Sequence, residues 1–208
     1  MSQPTYRRTG RPRDTAVDQR VLDAAWDLLH AAGYSGLSID EVAARAGTAK
    51  TTLYRRWPTK DHLAVAVAAR ILGAVPIAST GDLRRDLTNF AAALAESLNR
   101  IRRVGQQADS RSAGLAAEIV AAAARHPDIG AAAHAGFAER HALALARLRS
   151  AQENEGLKPD VDASVLIDQI AAPMYYRILI TGEPADRGYA RRLVNAVLDG
   201  ASTPKETE

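Results

Sequence analysis

The stretch Ser38–Lys60, SIDEVAARAGTAKTTLYRRWPTK, constrains the fold of this chain more than any other. Its punctuation marks two short helices with a tight turn between them. Ser38 stands where a helix N-cap belongs, and Glu41 three residues later completes a capping box. Ile39, Val42, Ala43 and Ala46 fall on one face at helical spacing. Gly47 follows the last of them, where a left-handed turn residue ends a helix and glycine meets no steric penalty. Thr48 is the expected N-cap of the second helix, which holds Leu53, Tyr54 and Trp57 and stops at Pro58. Between those apolar positions it presents Lys50, Thr51, Thr52, Arg55 and Arg56. A small helix with a packed inner face and an outer face of cations and hydroxyls suits a DNA major groove, whose base edges offer acceptors and methyl groups.

This stretch resembles the helix-turn-helix of the TetR family of bacterial transcriptional regulators. The family pattern runs alanine-glycine, a short segment, then threonine-leucine-tyrosine and a further aromatic. Here it reads Ala46-Gly47-Thr48-Ala49-Lys50-Thr51-Thr52-Leu53-Tyr54-Arg55-Arg56-Trp57, and the likeness extends from Val17 to Ala69. One departure is Pro58-Thr59 before Lys60, where the family more often carries a basic or small polar pair. The resemblance implies base-edge contacts from Lys50, Thr51 and Arg55. Lys50 and Arg55 suit the O6 and N7 acceptors of guanine, and the Thr51 methyl suits thymine. Ser38, Thr48, Thr52, Tyr54, Arg56 and Lys60 are the expected phosphate contacts, which fix register without reading sequence.

Charge follows the same division. Residues 1–70 hold 11 Lys/Arg against 7 Asp/Glu, and residues 71–208 hold 16 against 17, so the basic excess lies wholly in the first segment. A nucleic-acid-facing N-terminus on a neutral remainder has this pattern. The absence of cysteine excludes a disulfide framework and Cys-based zinc sites. Arg7-Arg8 superficially suggests a twin-arginine export signal, but the polar run Thr9–Asp14 follows where an apolar segment is needed. No apolar run is long enough to cross a bilayer, so no membrane association is expected and a cytoplasmic location is.

The chain divides into four parts by composition. Residues 1–15 form a polar, proline-containing arm that is expected to be disordered; Arg8, Arg11 and Arg13 in it are candidates for the minor groove or the DNA backbone. Residues 16–62 make the three-helix DNA-binding domain, beginning with a helix whose stripe runs Val21, Leu22, Ala25, Leu28, Leu29 and Ala32. Residues 63–201 read as helix after helix, and 202–208 as a disordered tail. Thr59 caps a helix from Lys60 to the Val75-Pro76 stop, which links the two domains in the resembling family. From Asp82 to Val104 come Leu83, Leu87, Phe90, Leu94, Leu98 and Ile101, the strongest helical period in the chain. A polar loop over 105–112 precedes an alanine-rich helix over 113–125, and a long helix follows over 128–155 with Ile129, Ala133, Phe137, His141, Ala144 and Leu148 on one face. The last two helices are apolar on more than one side, which requires burial on both. Leu166, Ile170, Ile178, Leu193 and Val197 are therefore candidates for an isologous four-helix contact in a homodimer.

The expected fold is all-α, with about nine helices: an N-terminal helix-turn-helix domain, then a helical ligand-binding and dimerisation domain. Leu94, Leu98, Phe137, His141, Met174 and Tyr175 are candidate walls of a pocket for a small-molecule effector, although core packing explains most of them equally well. His134 and His141 lie two helical turns apart, too far to chelate one metal together, and the sequence implies no metal site and no cofactor. No phosphate-binding loop, dinucleotide fingerprint, nucleophile elbow or zinc-protease motif is present, so the chain is not expected to be an enzyme. The expected function is a dimeric, effector-released repressor of a palindromic DNA operator. An activator or ligand-independent binder of the same architecture, and a helical binding or enzymatic module without specific DNA affinity, remain the alternatives.

Overall fold

The computed structural model describes residues 15–73, 77–104 and 115–201. Among these residues there are nine α-helices and no strand: α1 (Thr15–Ala32), α2 (Ile39–Arg45), α3 (Lys50–Arg56), α4 (Lys60–Leu72), α5 (Leu83–Arg103), α6 (Leu115–Arg125), α7 (Pro127–Asn154), α8 (Ala163–Tyr175) and α9 (Arg187–Ala201). The arm with Arg8, Arg11 and Arg13, the Val75-Pro76 helix stop, the loop over 105–112 and the tail from 202 lie outside the described residues. None of the described helices is long and apolar enough to cross a membrane.

Side-chain caps start most of these helices where the sequence places them. Ser38 Oγ accepts the Glu41 amide at α2, Thr59 Oγ1 the His62 amide at α4, Asp82 the Arg85 amide at α5, and Asp162 the amides of Ser164 and Val165 at α8. Only half of the capping box forms, because the Glu41 carboxylate turns forward to Arg45 at 2.5 Å. Thr48 is not the cap of α3. That position belongs to Ala49, whose side chain caps nothing. Thr48 instead closes α2: its amide reaches the Ala43 carbonyl at 3.0 Å while the Gly47 amide reaches Ala44 at 3.2 Å. This paired arrangement requires the residue between helix and exit to be left-handed, and Gly47 has φ +60°.

Two cores form. The first joins α1–α4 through Val21, Leu28, Leu29, Val42, Leu53 and Leu63, and it draws in Ile101 and Val104 from the end of α5 and Leu115 from α6. The second is built on α5, whose Leu87, Ala91, Leu94 and Leu98 pack against Leu148 of α7, Ile170 of α8 and Val194 of α9. The boundary expected at 62/63 falls inside α4, a continuous helix whose Leu63, Ala64, Val67 and Ala68 belong to the first core. In the second core, Arg147 is buried with its guanidinium on Asp86 at 3.0 Å, Glu155 at 2.9 Å and the Ala78 carbonyl at 2.8 Å. Burial pushes the fully enclosed Asp86 carboxyl up, but the Thr80 amide and hydroxyl and the Arg147 guanidinium outweigh it and hold it below the usual carboxylate range.

Two expectations about packing change. Leu166, Ile170 and Ile178 are at most 2% exposed and lie in the core of a single chain, so they present no surface to a second copy. Their spacing puts them there: Leu166, Ile170, Met174 and Ile178 recur every four residues on one inner face, which runs on past Pro173 into the π-type turn over Tyr176–Ile180. The apolar residues left outside are Val165, Tyr176 and Ile180, with Leu193 and Val197 of α9 half-buried. The stripe expected along α7 is also interrupted. Ile129, Ala144 and Leu148 are buried, but Phe137 between them is 46% exposed, because the middle of α7 borders a cavity.

Candidate nucleic-acid interface and cavity

The turn between α2 and α3 sets the angle at which α3 leaves the first core. Leu53 is its inward anchor and is fully buried. With that residue inside, Lys50, Thr51, Tyr54 and Arg55 share the exposed face of α3, and Thr52 and Arg56 border it half-buried. Ser38, Lys60 and Tyr54 are exposed around the same edge, with Tyr54 at 47%. Tyr54 is thus a surface residue, and Leu53 alone supplies the core contact of α3.

Lys50, Tyr54, Arg56 and Lys60, four of the expected DNA contacts, have partners within the chain. Lys50 Nζ meets Asp40 at 2.6 Å, an exposed pair, and the Tyr54 hydroxyl leans toward the other Asp40 oxygen at 3.4 Å. Arg56 pairs with Asp18 of α1. Lys60 lies over the Tyr34 ring at 4.3 Å. Arg55 has no ionic partner among the described residues. It is the cation of α3 most available to an external acceptor.

Behind the helix-turn-helix, α4–α8 border two adjoining, partly open chambers. The upper one, about 250 Å³, is lined by Leu94 of α5, Phe137, Arg140 and His141 of α7, and Ile167 and Tyr175 of α8. The lower one, about 420 Å³, shares Leu72, Phe137, Arg140 and Tyr175 with it and reaches down past Leu98 and Val65 to Trp57 and Arg56 at the end of α3. Of the six residues expected to line a pocket, five do so; Met174 does not, because it is fully buried in the second core. The Phe137 and Tyr175 rings lie 5.9 Å apart at 57°, and the Arg140 guanidinium sits 4.6 Å over Phe137. His141 is held at 3.1 Å by Ser164 Oγ. Burial pushes the Tyr175 phenol up, the nearby Arg140 charge only partly opposing it, so the hydroxyl stays protonated at neutral pH.

Beside the lower chamber, a polar junction that sequence reasoning missed ties the two cores together. Asp61, at 6% exposure in the first turn of α4, accepts from the Tyr34 hydroxyl, from Arg125 Nη2 at 2.9 Å, and pairs with His126 Nε2 at 3.0 Å. Next to it, His62 bridges Thr59 Oγ1 at 2.8 Å and Asp128 Oδ2 at 2.9 Å. That hydrogen bond from His62 holds the Asp128 carboxyl below its ordinary value. The first turn of α4 is thereby fastened both to the α1–α2 loop and to the α6–α7 corner. The signal was an acid in the first turn of a capped helix, matched by a basic-rich Arg125-His126 helix end, but nothing in their spacing brings residues 61 and 125 together.

Comparison with known proteins places this architecture. Residues 21–67 match the family model described as "Bacterial regulatory proteins, tetR family", and residues 77–197 match "Tetracyclin repressor-like, C-terminal domain". The HTH-type transcriptional regulator YdeS of Bacillus subtilis, itself described as uncharacterized, is 28% identical over 96% of both chains. Rv1556 of Mycobacterium tuberculosis, described in the same terms, is 28% identical over 94% of this chain and 90% of its own. Among solved structures, the TetR family transcription regulator SCO0332 superposes with a TM-score of 0.65 at 34% identity, covering 90% of this chain and 99% of that one. A helix-turn-helix with its cations outward, mounted on a helical body that matches along nearly its whole length, identifies this chain as a DNA-binding transcriptional regulator belonging to the TetR family.

Proposed function

We propose that the protein is an effector-released repressor that binds a palindromic operator as a homodimer in the cytoplasm. The observation that carries the effector reading is the lower chamber: one space is walled by Arg56 and Trp57 of the recognition helix, by α4, and by Phe137 and Tyr175 of the regulatory half. A ligand filling it touches both cores at once. It therefore favours one angle of the recognition helix over another, and by linkage DNA weakens its binding by the same factor. On DNA, Arg55, Lys50 and Thr51 read base edges, while Ser38, Thr48, Thr52, Tyr54, Lys60 and, once released from Asp18, Arg56 bind phosphates. The arm residues Arg8, Arg11 and Arg13 reach the flanking minor groove. The dimer seam runs along the outer side of α8 and α9, through Val165, Tyr176, Ile180, Leu193 and Val197, which sets the two recognition helices one helical turn of DNA apart. No retardation of the gene's own upstream DNA in a low-salt gel shift, or retardation that Lys50→Ala and Arg55→Ala leave untouched, would sink the DNA assignment. Deleting the gene should raise expression of a reporter on that DNA; a fall marks an activator.

A further inference from the structure

We propose that Arg140 is an anion anchor, and that the cavity takes a small organic carboxylate with an aromatic or alkyl body. This deepens the reading of the cavity as an effector site and rests on it. Arg140 lines both chambers from the middle of α7. Among the described residues it meets no carboxylate, whereas Arg147 carries two and Arg125 is paired with Asp61. The Phe137 ring lies 4.6 Å away and orients the guanidinium without neutralising it. A guanidinium facing an apolar chamber with its charge unmatched is a site for a planar anion, since its forked N–H donors fit both oxygens of a carboxylate.

A second donor converges on the same place. The Tyr175 hydroxyl has no hydrogen-bond partner among the described residues, and its ring stands 5.9 Å from Phe137. The phenol remains an O–H donor at neutral pH, so it can complete the shell of an oxygen held by Arg140. Around these two polar groups most of the upper chamber's wall is apolar, Leu72, Ile77, Phe90, Leu94 and Ala171 among it, with His141 and Asp168 its other polar residues. The opposite sign of ligand fits worse. Asp128 is already held by His62 at 2.9 Å, and the exposed Asp168 faces His141 at 3.9 Å. A cation would also have to displace Arg140 from the one aromatic face it occupies.

The test is calorimetric titration of the full-length protein with three matched probes: phenylbutyrate, its primary amide and phenylbutylamine. The acid should bind about ten- to hundredfold more tightly than the amide, and the amine should not bind measurably. Arg140→Gln should bring the acid down to the level of the amide, and Arg140→Lys should keep part of the preference. Both variants should keep the wild-type melting temperature, because Arg140 makes no ion pair among the described residues. Equal binding of acid and amide, or an Arg140→Gln protein that binds the acid as wild type does, overturns the anion assignment. If the amide or amine binds as tightly as the acid and Phe137→Ala abolishes that binding, the assignment fails while the cavity stands as an effector site. No binding of any probe at millimolar concentration overturns both.

Discussion

Lys50, Thr51, Tyr54 and Arg55 come from one seven-residue helix and point outward; Leu72, Leu94, Phe137, Arg140 and Tyr175 come from α4, α5, α7 and α8 and converge inward. The charged groups of the two regions differ in the same sense. The Lys50–Asp40 pair at the recognition surface has half or more of each side chain in water, whereas the Asp86–Arg147–Glu155 group in the regulatory half is almost enclosed. The Lys50–Asp40 pair, which DNA must displace, is cheap to break. The enclosed group is costly to break.

That contrast is broken most directly at Asp86. Asp86→Ala strands Arg147 as a buried, half-compensated cation and should lower unfolding free energy by about 3–5 kcal/mol in urea denaturation followed by circular dichroism. A loss below about 1 kcal/mol would place this group with the surface pairs instead. The pH dependence has a definite sign. The folded-state carboxyl lies below its unfolded value, so its contribution is complete above the unfolded value near 3.9 and is lost as pH falls through the lower folded one. Wild type should therefore lose stability in strong acid more steeply than Asp86→Ala does.

The recognition surface should respond in affinity rather than in stability. Arg55→Ala should weaken operator binding by about 1–3 kcal/mol at fixed salt, with the melting temperature unchanged. Lys50→Ala should cost less, since DNA must first detach Lys50 from Asp40 at 2.6 Å. Fluorescence anisotropy across a salt series checks both, and a larger loss for Lys50 than for Arg55 would reverse their ranking.

How legible each region was in the sequence follows from how it is assembled. The helix-turn-helix could be read almost residue by residue, because a cap, a left-handed glycine and the inner Leu53 act within one short stretch. Even so, the cap of α3 was misplaced by one residue, since Thr48 satisfies α2 and not α3. In the regulatory half the period of α5 gave its inner face correctly, Leu83 to Ile101. The faces of α7 and α8 were not given by period alone. On α8 the four-residue spacing of Leu166, Ile170, Met174 and Ile178 marks the inward face and not a seam, and on α7 a cavity leaves Phe137 half-exposed within the apolar stripe. The buried Arg147 follows the same rule: it stands beside Leu148 and one turn from Ala144 and Ala151 on the inner face of α7, and hydrophobic periodicity has no symbol for a paired charge. The polar junction was illegible for the simplest reason, that Asp61 meets Arg125 across 64 residues.

That junction is where the two regions meet, and it should fall between them in energy. Asp61→Asn keeps an acceptor but removes the charge that Arg125 and His126 share, and should cost about 1 kcal/mol, or roughly 2–4 °C in melting temperature. An unchanged melting curve would mean that the first core holds α4 without help from α6 and α7.

The smallest effect, and the one of opposite sign, is expected at Asp40. Its carboxylate neutralises Lys50 at 2.6 Å on the face that DNA approaches and adds a negative charge of its own there. Exposed pairs of this kind contribute about 0.2–1 kcal/mol, so Asp40→Asn frees Lys50 at little cost to folding and should tighten DNA binding by a comparable amount. Removing a charge that repels phosphate should also steepen the salt dependence, because one more lysine releases counterions on binding. If Lys50 reads a guanine, the gain is larger on the operator than on random DNA; if Lys50 meets only phosphate, both tighten equally. Weaker binding by Asp40→Asn would mean that Asp40 holds Lys50 and Tyr54 in the orientation DNA requires, which would make the pair a positioning device and not a competitor.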